Sequence, residues 1–564
     1  MTILKSLTIG ALLLTGTALF AARQAPKLIL QITVDQLRGD LPDRYMKNMG
    51  EGGFRYLKAK GVWYKNASYG YSNTETVVGH TTLATGADPA VHGMVSNVWY
   101  DRDTDKLAYN IEDKRYHLLT ENADVNKSSE VDTSQALAST DGRSPANIMV
   151  STFSDELRLF TNGKSKVFAV SVKDRGAVTL AGHAGKAFWF SKATGTFITS
   201  SYYYDDYPDW VKAYNDKKPT SIFENKAWTL LLDKSKYMFG EDDNQSWETD
   251  VMGFGRTFPH DYGSAKDKTF TSYLTFSPAG DSLTLDFAKA TIEAEELGQR
   301  EATDYLAVSF SSTDYVGHIF GPSSLEAEDN LLRLDRTLSD LFHFVDQKVG
   351  LENTLIVLSA DHGAPEAPGY LKKFGIEAHG VFPREWDKAP SITRLKKKFG
   401  IGEQLIESFF PPYLYLNREA IKAKGLDMAE VEQAVANEIM SIKGVALAVS
   451  AEALKKNELP DTFLNNAARK NFNPKRSGDI LVLFQPHCFI NGIDGVDVAS
   501  NHGGAWRYDT YVPIIFLGWR LNGKQIFRKV RPNDIAPTLA KIVGAKPPSG
   551  TNGDILVDII KSVE

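Results

Sequence analysis

Cysteine is almost absent from this chain: Cys488 is the only one in 564 residues. An intramolecular disulfide is therefore excluded, and no thiolate cluster can hold a metal ion. Its surroundings, "LVLFQPHCFI", are apolar and suit a buried, inert thiol. Any metal site must be built from His, Asp and Glu. A long basic run is missing too, and with a net charge of −6 the chain has no electrostatic footprint for a nucleic-acid partner. No internal repeat and no low-complexity tract breaks the pattern. The one extended apolar stretch, "LTIGALLLTGTALFAA", lies between Lys5 and Arg23 and is too short and poorly flanked for a membrane span. Residues 1–22 read as an export signal, the alternative being an uncleaved amphipathic start. A periplasmic or secreted protein without a stable membrane anchor is expected.

With 42% hydrophobic residues, the chain can bury a large core. "KLILQITVDQ" is an apolar, β-branched run ending in Asp35, the pattern of a buried strand. Similar runs are "KVFAVSV" (166–172), "DYLAVSFSSTD" (304–314), "TLIVLSADHG" (354–363), "DILVLF" (479–484) and "VPIIFLG" (512–518). Helical stretches alternate with them. "SPANIMVSTFSDELRLF" offers Ser144 as N-cap and Pro145 at the first helical position, and the run after Ser324 sets Leu331, Leu334, Leu338, Leu341 and Val345 on one face before Gly350. This alternation predicts an α/β fold with a doubly wound, mostly parallel central sheet flanked by helices. Residues 23–564 are expected to form a single domain with insertions at roughly 185–280 and 364–478. The insertions are either solvated decoration or walls of a ligand entrance.

In such sheets ligands bind beyond the carboxyl ends of the strands. Four apolar runs end in, or run straight into, polar groups suited to metal or phosphate: Asp35, the Lys173/Arg175 pair, Asp314, and the Asp361–His362 pair. Asp314 and His318 are four apart, so one helical turn would bring a carboxylate and an imidazole to one divalent ion. Asp361 and His362 face one site only if the chain turns between them; the plainer alternative is a cap on the next helix. His502 precedes two glycines, which let a ring reach inward. Three carboxylates and three imidazoles suffice for two metal sites with open positions. His117, His183, His260, His343 and His379 have no such partners at strand ends and read as structural.

The stretch "GYSNTETVVGHTTLATG" holds five threonines. A threonine hydroxyl needs a base or a metal ion to become a nucleophile. A turn feeding a helix would place Thr76 at the positive end of the helix dipole, with Thr81, Thr82 and Thr85 inside the helix as packing residues. Lys173 and Arg175 alternate and so would project to one side of an extended segment.

Read together, "TVVGHTTLATGADPAVHGMVSN" resembles the nucleophile segment of the alkaline phosphatase superfamily, in the branch with a threonine nucleophile. The order Asp35, Asp314/His318, Asp361/His362, His502 also matches that branch, and the resemblance covers nearly all of the chain after residue 22. It implies two Zn²⁺ per chain, with Asp35, Asp361 and His362 around the ion that activates Thr76, and Asp314, His318 and His502 around the ion facing the leaving group. It further implies in-line attack by Thr76, a phosphothreonine, and its hydrolysis, with Asn97, Lys173 and Arg175 on the phosphate. Mixed N/O ligands also suit Mn, Co or Fe. Two cations on the transferred group favour small-molecule phosphate monoesters. The expectation is an exported, monomeric, zinc-dependent alkaline phosphatase. The rival readings are a phosphodiesterase or nucleotide pyrophosphatase on the same scaffold, and an exported binding protein for phosphate or zinc. A sulfatase is disfavoured because Val77, Val78 and Gly79 follow Thr76 where that enzyme has C/S-x-P-x-R.

Overall fold

The structure, a computed structural model, describes residues 25–123, 125, 130, 132, 134–490 and 498–563. The segment read as an export signal, residues 1–22, and the side chain of His379 lie outside the described residues.

The organising element is a 9-stranded sheet in the order Lys524–Ile526, Val62–Ser68, Tyr511–Gly518, Thr354–Ser359, Leu28–Val34, Asp304–Phe310, Val167–Ser171, Lys186–Ser191, Thr196–Ile198. The five strands from Thr354–Ser359 to Lys186–Ser191 are mutually parallel. Tyr511–Gly518 and Thr196–Ile198 join antiparallel on either side of them. Every residue of Leu28–Val34, Asp304–Phe310 and Thr354–Ser359 is buried, because helices cover both faces. That is why these strands read as unbroken apolar runs rather than as alternating ones. Lys186–Ser191 and Thr196–Ile198 belong to this sheet, so the aromatic-rich insertion expected from 185 departs only after residue 198.

The 24-residue helix Leu325–Lys348 buries Leu331, Leu334, Leu338, Leu341 and Val345, as its spacing predicts. Residues 144–151 do not extend the helix ahead of 153. Ser144 Oγ donates to Asp113 Oδ2 and accepts from Ala146 N, a local turn that competes with helix. The helix is Phe153–Phe160, started by a capping box between Thr152 and Asp155. "DILVLF" does not join the central sheet either. Ile480–Phe484 lies in a four-stranded sheet with Ile406–Phe410, Tyr413–Leu416 and Val445–Ser450. Leu414, Leu416, Val431, Val435, Ile439, Ile480 and Val482 build a second, separate core there. An apolar strand run specifies burial, and two cores can satisfy it equally.

The helix Thr76–Thr85 is buried along its whole length. At Gly79 an added Cβ would lie 2.1 Å from the Asp361 carbonyl oxygen, so the helix can approach that loop only through a glycine. An alanine in a helix interior ordinarily gains about 1 kcal/mol over glycine. Here overpacking is expected to reverse the sign: Gly79→Ala should destabilise by about 1–3 kcal/mol in urea unfolding. A neutral or stabilised variant would show that the contact yields.

Candidate active site

The chemistry-bearing side chains gather where the parallel strands end. Asp35 follows Val34 directly, and Asp361 stands two residues beyond Ser359. Asp314 occupies the first turn of the helix Ser312–Phe320, which opens just past Phe310. Lys173 is the N-cap residue of the helix Asp174–Ala181, two residues beyond Ser171. Asp304–Phe310 leads on to Thr354–Ser359 on one side, whereas its neighbour Val167–Ser171 leads on to Lys186–Ser191 on the other, so connections diverge between these two strand ends, from which Asp314 and Lys173 follow. A crevice at such a switch point is where doubly wound sheets bind ligands.

Asp35, Asp361 and His362 each offer a ligand atom within 4.8 Å of the others, and so do Asp314, His362 and His502. His318 falls in neither group but stands beside the second: its Nε2 is 3.2 Å from Asp314 Oδ1, His502 Nε2 is 3.4 Å from the same oxygen, and the two rings have centroids 5.0 Å apart. The Asp314–His318 pair spans one helical turn, as its spacing predicts. The chain turns at Asp361–His362 and does not cap a helix there, since Asp361 Oδ1 accepts from Gln36 N and His362 N, both at 3.0 Å. His362 stands between the clusters, its ring stacked on His502 with centroids 3.6 Å apart.

All three imidazoles are held the same way. Nδ1 lies 2.8 Å from the Ser500 carbonyl oxygen in His318, 3.0 Å from that of Gly363 in His362, and 2.7 Å from that of Thr74 in His502. A carbonyl oxygen only accepts, so Nδ1 carries the proton and each Nε2 lone pair faces the carboxylates. Burial and nearby His502 pull the His362 imidazole down to about 3, although Asp361 opposes them, so it is neutral at ordinary pH. Burial, then the Asp361 charge, push the Asp35 carboxyl well above its usual range. Asp35 Oδ1, Asp361 Oδ2 and His362 Nε2 are buried without a hydrogen-bond partner among the described residues. Orphaned donor atoms converging in this way fit divalent cations. His80 is different: Nδ1 reaches the Thr76 carbonyl at 2.9 Å and Nε2 the Ser309 hydroxyl at 2.8 Å, so it braces the helix start.

Thr76 is the first residue of its helix and is 1% exposed. Arg175 Nη2 donates to Thr76 Oγ1 at 3.2 Å. Asn97 Oδ1 accepts from Val77 N, next to Thr76, at 3.0 Å, and its Nδ2 has no acceptor among the described residues. Lys173 and Arg175 do not alternate on an extended segment, because the helix begins between them. The anchors come together differently: Arg175 reaches Thr76, while Lys173 Nζ bridges Asp35 Oδ2 at 2.8 Å and Asp314 Oδ2 at 2.5 Å. Burial opposes the Lys173 charge, but Asp314 and Asp35 outweigh it and raise the ammonium pKa.

Three partners escape sequence reasoning. Glu75 Oε2 accepts from Asn97 N at 2.6 Å and from Ser96 Oγ at 2.8 Å, and Asn110 Nδ2 donates to the Asn97 carbonyl at 2.7 Å. Together they clamp the Asn97 backbone. Asp132 Oδ2 accepts from Arg175 Nη2, the same nitrogen that reaches Thr76 Oγ1, and so fixes that end of the guanidinium. Glu75 was detectable as the acidic neighbour of Thr76; Asp132 lies in a polar stretch without periodicity and had no signal. The second sheet also reaches the site: Pro411, Pro412 and Phe484 line a small cavity with His502 and Trp506.

The model of type I phosphodiesterases and nucleotide pyrophosphatases matches residues 29–505. A Myroides odoratus protein named calcium-transporting ATPase is 34% identical over 542 residues, 95% of each chain. Alkaline phosphatase PafA of Elizabethkingia meningoseptica is 33% identical over 543 residues, 95% of this chain and 94% of the relative. The crystal structure of wild-type PafA superposes with a TM-score of 0.84 at 33% identity, covering 95% of this chain and 99% of that one. This chain belongs to the type I phosphodiesterase and nucleotide pyrophosphatase family, within the alkaline phosphatase superfamily.

Proposed function

We propose that this protein is an exported, zinc-dependent alkaline phosphatase that hydrolyses small-molecule phosphate monoesters through a phosphothreonine at Thr76. The observation that carries the reading is the juxtaposition of Thr76 Oγ1, in contact with Arg175, and six metal-type ligands with unpaired or mutually facing donor atoms. Asp35, Asp361 and His362 would hold one zinc ion beside Thr76, and Asp314, His318 and His502 the other. When bound, the two ions supply Lewis-acid stabilisation of the attacking and departing oxygens. The same N/O ligands would accept manganese, cobalt or iron.

The remaining chemistry belongs to the chain. Thr76 Oγ1 gives up its proton and forms a bond to phosphorus while the bond to the leaving oxygen breaks, and that oxygen takes up a proton to depart as the alcohol; water then attacks the phosphothreonine, releasing inorganic phosphate and returning a proton to the hydroxyl. The start of the Thr76–Thr85 helix favours negative charge at that position. Arg175 presents a planar fork to the transferred oxygens, Asn97 Nδ2 adds a neutral donor, and Lys173 adds charge. A monoester offers more free oxygens to these groups than a diester does. The relative PafA, named as an alkaline phosphatase, has also been crystallised with one threonine, one asparagine, one lysine and one arginine replaced. The separations of those four match Thr76 to Asn97 and Lys173 to Arg175, which supports the same division of labour here. The apolar start of the chain supports export. No helix among the described residues is long and apolar enough to cross a membrane. A monomer, in one domain with two insertions, remains the reading for the assembly.

The phosphodiesterase alternative keeps its weight because the matching family includes such enzymes. Two experiments decide. Hydrolysis of p-nitrophenyl phosphate at pH 8 to 9 should vanish with EDTA and return with zinc, and Thr76→Ala should lose more than about 10³-fold in kcat. Wild-type turnover by Thr76→Ala would instead point to direct attack by water. Lys173→Ala with Arg175→Ala should cost the monoester at least about 10²-fold in kcat/KM and a diester with the same leaving group far less. A wild-type kcat/KM higher for the diester would overturn the monoesterase reading.

A further inference from the structure

Gln36 belongs neither to the ligand set nor to the phosphate contacts, yet its backbone is held in an unfavourable state. Its φ is 67°, the left-handed region that few residues other than glycine adopt. Such a conformation persists where surrounding contacts hold it. The residue is 3% exposed. The left-handed turn reverses the chain directly after Asp35, and two bonds result. Gln36 N donates to Asp361 Oδ1 at 3.0 Å, and Gln36 Nε2 donates to Asp314 Oδ1 at 2.7 Å. One residue is thus bonded covalently to the first carboxylate and by hydrogen bonds to the other two.

Those two carboxylates follow strands on opposite sides of Leu28–Val34, so Gln36 spans the end of that strand from one neighbour to the other. With Asp361 Oδ1 occupied by Gln36 N and His362 N, Oδ2 is turned toward His362 Nε2, 3.3 Å away. With Gln36 on one flank of Asp314 Oδ1, that oxygen still faces the Nε2 atoms of His318 and His502. The helix opposite makes room. Gly317 lies between Asp314 and His318, and a Cβ there would come within 1.8 Å of Gln36 Oε1. Its helical backbone does not require glycine; the space does.

We propose that Gln36 is a positioning residue that joins the two halves of the metal centre, orienting Asp314 and Asp361 for their ions, and that Gly317 is its seat. The inference rests on the metal-centre reading above. A donor that orients a ligating carboxylate contributes about 10–100-fold to metal affinity. The full mature chain, stripped of metal, is titrated with zinc against a chromophoric chelator, and the metal-free protein is melted in parallel. The wild type is expected to take up two zinc ions. Gln36→Gly removes the side-chain bond but keeps the N–H and relieves the left-handed backbone. It should lose about tenfold or more in affinity for at least one ion while its metal-free Tm stays equal or rises. Gly317→Ala keeps the identity of every ligand and of Gln36 but denies the Gln36 side chain its seat, and should weaken zinc in the same direction. If both variants bind two ions with wild-type affinity, the proposal is overturned. If Gly317→Ala does not fold, Gln36→Gly alone decides. A wild type that binds no zinc would sink the underlying metal-centre reading instead, a distinct result.

Discussion

Three carboxylates buried side by side are the constraint on which the rest of this structure depends. Two like charges about 4 Å apart repel by about 4 kcal/mol at an effective dielectric constant of 20. A domain's whole net stability is only about 5–15 kcal/mol. Asp35, Asp314 and Asp361 can share one crevice only if cations answer them and if the scaffold stops them from turning away. Lys173 is the cation the chain itself supplies, inserted between Asp35 and Asp314. It does not reach Asp35 Oδ1 or Asp361 Oδ2, which have only imidazole nitrogens beside them: His362 Nε2 near both, and His80 Nδ1 at 3.1 Å from Asp361 Oδ2.

The scaffold holds the carboxylates by covalent proximity to rigid strands. Asp35 adjoins a strand buried along its whole length, and Asp314 and Asp361 follow the two strands hydrogen-bonded to it. Parallel pairing fixes which strand ends lie side by side, and hence which loops can share a ligand. The Thr76–Thr85 helix is then docked on these loops, with Gly79 against the Asp361 backbone and His80 bonded to Ser309 on a central strand. Displacing any of these changes the distance between Thr76 and the carboxylates, so packing and chemistry are not separable here.

This division explains what was legible in the sequence. Buried parallel strands appear as apolar runs, and polar residues at their ends stand out against that background, so Asp35, Asp314, Asp361 and Lys173 could be found in the string. The Asp314–His318 spacing carried its own helical geometry. What stayed hidden was tertiary. "DILVLF" has the composition of a central strand, and only its partners place it in the second sheet. Ser144–Pro145 has the composition of a helix start, but the Ser144 hydroxyl is committed to Asp113. The reach of Arg175 was foreseeable from its type, whereas the helix break between it and Lys173 was not. Asp132 and Gln36 act through contacts more than forty residues away in sequence and leave no local pattern.

The matching family model spans phosphodiester and pyrophosphate chemistry, while relatives such as PafA carry phosphatase names, so the scaffold and its ligand set do not by themselves decide the substrate. The ligand clusters would serve any phosphoryl transfer equally. Discrimination has to come from groups that see the non-reacting oxygens, and on the reading proposed above these are few: Asn97 Nδ2, Arg175 and Lys173. Each is held by partners of its own: Glu75 and Asn110 bond the Asn97 backbone, Asp132 bonds Arg175 Nη2, and Asp35 with Asp314 brackets Lys173 Nζ. Preorganised donors cost no reordering when charge develops on the transferred group. Specificity in this scaffold therefore resides less in the walls of a pocket than in how firmly three donors are held over one threonine.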